Sequence, residues 1–153
     1  GDDAELGLRA RIAGWRCLYL PDAVVRHHRG ASLGLTSRRR LMLIERNRVL
    51  LAAKLFPWSL LWMNPAFFLA RVAAGFWAAV RGRGELRRFA GAQGKAGVAL
   101  GVIWGDLAAL PLIPKMLGKR RRIARIRKLT PGQVRRLIFQ YRVSLRTLME
   151  QAV

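Results

Sequence analysis

Acidic side chains are scarce in this sequence: eight Asp and Glu stand against 29 Lys and Arg, giving a formal net charge of +21 over 153 residues. Cysteine is scarcer still. Cys17 is alone, so no disulfide can close within the chain and no cysteine-built metal site is available. A reducing, cytosolic setting fits that usage. Residues 1–14 lack the basic, apolar and small-residue succession of a signal peptide. The first methionine is Met42 and the first residue Gly1, which leads to the expectation of a truncated gene product or an excised piece. No internal repeat is visible. The two long apolar stretches, 55–80 and 97–117, are both interrupted: Pro57, Pro65 and Arg71 fall in the first, Asp106, Pro111 and Pro114 in the second. A charge at the centre of a spanning helix costs roughly 2.5–3.5 kcal/mol, so neither stretch reads as a clean crossing.

What is present is an unusual pairing of grease and positive charge. Hydrophobic residues make up 52% of the chain, which excludes a disordered basic tail, since those are poor in apolar residues. The length allows one domain with a modest core. A chain both apolar and basic suits a surface that meets anionic lipid. Nucleic acid is the other common polyanion.

Composition changes near Gly34. Before it lie Asp2, Asp3, Glu5, Asp22 and both histidines; after it lie the other four acids and most of the basic residues. Residues 3–13 predict a short helix, with Leu6, Leu8 and Ile12 as apolar contacts and Gly14 as C-cap. Trp15–Leu20 reads as a strand with Cys17 buried, Pro21-Asp22 as a turn, and Ala23–His27 as a second strand. Thr36 or Ser37 can cap a helix running to about Lys54 and stopped by Pro57. Thr130-Pro131-Gly132-Gln133 has the form of a capping box with Pro at the first helical position. The helix it opens would place Val134, Leu137, Ile138, Tyr141, Leu145 and Leu148 on one face.

Two features could carry chemistry. Asp2 and Asp3 are adjacent carboxylates at a helix start. The helix dipole alone favours acids there, but a carboxylate at such a junction can also serve as a general base. His27 and His28 end the second predicted strand. A histidine there is commonly a surface residue, yet imidazole can complete a divalent-metal site built from carboxylates and phosphate oxygens.

The order of these pieces is more informative than any one of them. Asp2-Asp3-x-Glu5-Leu6-Gly7-Leu8-Arg9, Ala13-Gly14-Trp15-Arg16, Tyr19-Leu20-Pro21-x-Ala23-Val24-Val25-x-His27 and Gly30-x-Ser32 together resemble the end of the catalytic domain of family 2 glycosyltransferases, which have the GT-A fold. The likeness covers residues 1–32 and extends to Glu45-Arg46-Asn47-Arg48, similar to a helix of rhamnosyltransferase-like members.

The resemblance implies roles. Asp3 falls on the second acid of the family's acidic pair, the base that accepts the proton of the acceptor hydroxyl in an inverting transfer. Asp2 stands where Glu is usual and Glu5 where Asp is usual, so Asp2 and Asp3 both remain candidate bases. His27 falls on the strand-end histidine that can reach the metal and diphosphate, with His28 as its neighbour on the opposite strand face. A divalent metal, Mg²⁺ or Mn²⁺, is the implied cofactor. The implied partners are a nucleotide-sugar donor and a lipid-linked or glycan acceptor. The residues that bind the nucleotide in that family have no counterpart here, so these 153 residues alone are expected to be inactive.

The expected fold is an α/β remnant of a GT-A domain, a short helix plus two strands over residues 1–34, followed by a mainly α-helical membrane-associated tail; the whole is mostly α. The tail divides into residues 35–130, apolar and basic, and residues 131–153, an amphipathic helix. Basic residues flank both apolar stretches on every side, so a single crossing would set positive charge on the wrong side of a membrane. In-plane or shallow Pro-broken arrangements at the cytoplasmic face of the inner membrane keep every flank in the cytoplasm. Trp58, Trp62, Trp77 and Trp104 suit an interfacial depth. The alternative is a basic module without catalysis, binding either a membrane or, through Lys119–Lys128, nucleic acid. The tryptophans sit away from that run, so an anionic membrane surface is the expected partner and nucleic acid is not.

Overall fold

The computed structural model describes residues 2–26, 34, 36–80 and 85–142. The chain order is α1 (Asp2–Ile12), α2 (Arg38–Leu55), α3 (Trp58–Val80), α4 (Glu85–Ala109), a single 3₁₀ turn (Leu110–Leu112), α5 (Ile113–Ile126) and α6 (Pro131–Gln140).

Local signals set most boundaries. Gly14, two residues beyond α1, takes φ +86°, and a Cβ there would lie 2.9 Å from Lys128 Cδ. Ser37 caps α2, its Oγ accepting from the Arg40 amide at 3.2 Å. The sequence of α2, RRRLMLIERNRVLLAAKL, has neither Gly nor Pro and is rich in strong helix formers. Thr130 and Gln133 complete the capping box of α6 in both directions, at 3.2 and 2.8 Å. Pro111 and Pro114 sit in the first turns of the 3₁₀ segment and α5, where no amide bond is lost. Pro65, expected to break the first apolar stretch, instead lies inside a continuous α3.

The α/β remnant is overturned: no strand occurs among the described residues. Residues 15–20 and 23–26 are irregular, joined by the Pro21-Asp22 turn, where the Ala23 amide donates to the Leu20 carbonyl at 3.1 Å. A strand exists through pairing, and among the described residues no second strand pairs with it. Both faces of the segment are consequently open: Leu18, Tyr19, Val24 and Val25 are all about four-fifths exposed or more. Cys17, expected to be buried, is exposed. The mostly α expectation stands.

Helices α2, α3 and α4–α5 form an up-down-up bundle. Leu41 lies against Gly101, Glu45 against Gly105, and Ala53 and Phe56 against Arg120, so α2 and the α4–α5 rod run the same way. α3 returns beside them, with Trp58 at Arg120 and Phe68 at Arg48. Below the bundle, Ile12, Leu55, Ile123 and Val134 form a small core that ties α1 and α6 to the ends of α2 and α5. Each such side chain contributes about 1.5–3 kcal/mol on burial. The Ile12 carbonyl accepts from the Lys128 and Leu129 amides at 2.9 and 3.2 Å, fixing α1 to the α5–α6 connection. The predicted apolar face of α6 is seen at Val134, buried, and at Leu137 and Ile138, half-buried; Tyr141 lies past the helix end and is exposed. Leu145 and Leu148 fall outside the described residues.

Candidate functional site

The acidic start of the chain lies on α1, whose first residue is Asp2. Asp3 occupies its first turn and is exposed. Glu5 lies two residues on, about 200° around the helix, and turns inward. Its carboxylate accepts from Arg9 Nε at 3.0 Å and forms an ion pair with Lys54 Nζ near the end of α2. Burial raises the Glu5 pKa, but the hydrogen bonds from Lys54 and Arg9 outweigh it and hold the carboxyl below its ordinary value. Asp3 and Glu5 therefore have separable positions. Glu5 ties α1 to the bundle, while Asp3 is presented to solvent on another side of the same helix.

His27, the expected metal-side residue, lies outside the described residues, as do His28, Gly30 and Ser32. Among the described residues no three His, Cys, Asp or Glu side chains gather where they could hold a metal.

Elsewhere the structure assembles two arrangements that the sequence reading did not find. Arg48 of α2 donates to Glu45 Oε2 at 3.0 Å, to Asp106 Oδ1 of α4 at 3.1 Å and to Asn64 Oδ1 of α3 at 3.4 Å, and its guanidinium lies 5.3 Å from the Phe68 ring centroid. One cation thus clamps three helices. Glu45 is only 2% exposed, and a carboxylate so buried needs such pairing. Asp106, read as a charge that spoils an apolar helix, is half of an interhelical ion pair.

The second arrangement is a ridge of small residues, Gly97, Gly101, Gly105 and Ala109, all buried. Their four-residue spacing puts them on one stripe of α4, and small-xxx-small stripes let helix backbones approach closely. The four-residue spacing is legible in the sequence, although larger apolar residues stand between its members. By length and composition alone, Gly97–Ile126 is long and apolar enough to cross a membrane. Further along, Arg120 donates to the carbonyls of Ala53 and Phe56 at the end of α2, at 3.2 and 2.6 Å, and stacks 4.5 Å from the Trp58 ring centroid. Burial, and then the nearby Arg127, lower its pKa.

Comparison of the chain with protein families, with curated proteins and with solved structures gives no match.

Proposed function

We propose that this chain forms part of a membrane-associated, inverting glycosyltransferase that moves a sugar from a nucleotide-sugar donor to a lipid-linked or glycan acceptor in cell-surface polysaccharide or glycolipid synthesis. The observation that carries the reading is the ordered string from Asp2-Asp3-x-Glu5 to His27. The exposed position of Asp3 at the head of an anchored helix supports it.

In this reading the Asp3 carboxylate accepts the proton of the acceptor hydroxyl. The acceptor oxygen bonds to the anomeric carbon as the bond from that carbon to the diphosphate oxygen breaks, and configuration inverts. General-base assistance of this kind contributes about 10²–10⁴-fold. Glu5, through Lys54, and Ile12, through the α5–α6 connection, hold α1 against the bundle, which fixes where Asp3 stands. A divalent metal, when bound, would offset charge on the departing diphosphate, and His27 is the residue of this chain proposed to face it. The enzyme works at the cytoplasmic face of the inner membrane.

Membranes carrying the complete gene product, given labelled nucleotide sugars, test the reading. Transfer of label to lipid or glycan, lost in Asp3→Asn with unchanged protein level, supports it. No transfer from any common nucleotide sugar counts against it.

A further inference from the structure

The bundle has one charged side and one apolar side. α2 carries Arg38, Arg39 and Asn47 exposed to water. Among the described residues, the first half of α3 and the second half of α4 expose apolar side chains instead. Trp62 is 83% exposed and Leu69 66%, while Leu100, Ile103, Trp104 and Leu107 form a single stripe on α4 at spacings of three and four. That stripe lies away from the glycine ridge that meets α2. Past the 3₁₀ turn the rod continues into α5, where the exposed residues become cations: Lys115, Lys119, Arg121, Arg122 and Arg125.

We infer that the outer face of α3 and α4 is a docking surface for an anionic phospholipid bilayer, on which the bundle lies in the membrane plane with α2 turned to water and the α5 cations on the headgroups. Two observations select this occupant and this orientation. First, open tryptophans and aliphatics run directly into an open cationic segment, which complements acyl chains bounded by negative headgroups. Second, α2 runs beside the apolar part of α4 along its length: Arg38 is packed at Gly101, and Arg46 at Gly105. Inserting Gly97–Ile126 end-on would carry the arginines of α2 into hydrocarbon, where such charges are costly. Laying the bundle flat keeps them in water. The membrane-capable length of Gly97–Ile126 is then used along the surface and not across it.

The inference deepens the membrane association proposed above and rests on it, but is independent of sugar transfer. The test uses the full chain with Cys17→Ser and a single new cysteine, Asn47→Cys on α2 or Ile103→Cys on α4, each labelled with an environment-sensitive fluorophore. Both sites are exposed, and Asn47 gives up only surface hydrogen bonds from Arg46. Vesicles are phosphatidylcholine with or without phosphatidylglycerol. Expected are binding that requires phosphatidylglycerol and weakens with salt, a shielded, blue-shifted probe at 103, and a probe at 47 that iodide still quenches. Arg121→Gln with Arg122→Gln lowers the affinity by about 30-fold. Shielding of both probes overturns the flat orientation while leaving membrane association standing. No vesicle binding, with either salt-sensitive nucleic-acid binding or self-association that shields position 103, overturns membrane association itself.

Discussion

Gly105 of α4 is pressed against Glu45 of α2: a Cβ built on the glycine would lie 2.6 Å from the Glu45 Cβ and 2.7 Å from the Met42 carbonyl oxygen. One turn earlier, a Cβ on Gly101 would meet side chains alone: Leu41 Cδ2 at 3.0 Å, then Leu41 Cγ and Arg38 Cγ at 3.5 and 3.6 Å. The two glycines thus make different demands, because a flexible side chain can move aside and a neighbouring backbone cannot.

Gly105→Ala should therefore destabilise the bundle by about 1–3 kcal/mol, the usual cost of overpacking. Gly101→Ala should be close to neutral, since relief of the glycine's helix penalty, about 0.8–1 kcal/mol, offsets a small shift of Leu41. Urea unfolding of the two variants side by side checks this. Equal loss in both would mean that the helices do not approach as described.

Removing the clamp at Arg48 should be more damaging than removing any single surface arginine. Arg48→Met keeps the stem but takes the shared cation from Glu45 and Asp106. With the Arg48 and Asp106 side chains 27% and 30% exposed, the loss should be about 2–3 kcal/mol, below the ~3–5 kcal/mol of a fully buried pair. Arg39→Met, on an exposed position, should change stability by less than about 0.5 kcal/mol. Thermal unfolding of both variants decides the matter.

How much of this was legible in the sequence depends on the range of the interaction. Signals confined to one turn were readable: the Ser37 cap, the positive φ at Gly14 and the Thr130–Gln133 box lie within the few residues that create them. The predicted strands failed because alternation in residues 15–26 says only that a segment could pair, and pairing needs a partner. The Arg48 clamp joins residues 16 and 58 positions apart, which no local pattern encodes. Of the candidate site, the sequence placed Asp2, Asp3 and Glu5 at one helix start. The inward turn of Glu5 became visible only once Lys54 stood opposite it.

The Glu5–Lys54 pair carries a pH dependence of known sign. Glu5 has a lowered pKa in the folded chain, so its contribution is fully present above its unfolded value and is lost as pH falls through the folded one. Lys54→Met should cost about 1–2 kcal/mol at pH 7, in the range of hydrogen bonds to charged groups. The difference from the wild type should shrink as pH drops below the ordinary glutamate range, about 4.3. Denaturation midpoints of the two proteins between neutral and acid pH give the comparison; a difference that grows on acidification contradicts the pairing.

Arg120 should matter through its geometry as well as its charge. Its Nη1 reaches the Ala53 and Phe56 carbonyls while the guanidinium plane covers Trp58. Lysine lacks that planar fork, so Arg120→Lys should lose about 1 kcal/mol despite keeping the charge, with a change in tryptophan emission as Trp58 is uncovered. Unchanged stability and emission would show that the stack and cap contribute nothing.

The proposed function rests on Asp3 as the base of a sugar transfer. The most direct measurement is the steady-state rate of transfer by the complete gene product in membranes, wild type against Asp3→Asn, with Asp2→Asn and Glu5→Gln alongside. The account predicts a fall in kcat of about 10²–10⁴-fold for Asp3→Asn with donor KM nearly unchanged, and a smaller loss for Glu5→Gln that follows its loss of stability. Transfer by Asp3→Asn at near the wild-type rate would contradict the assignment of the base.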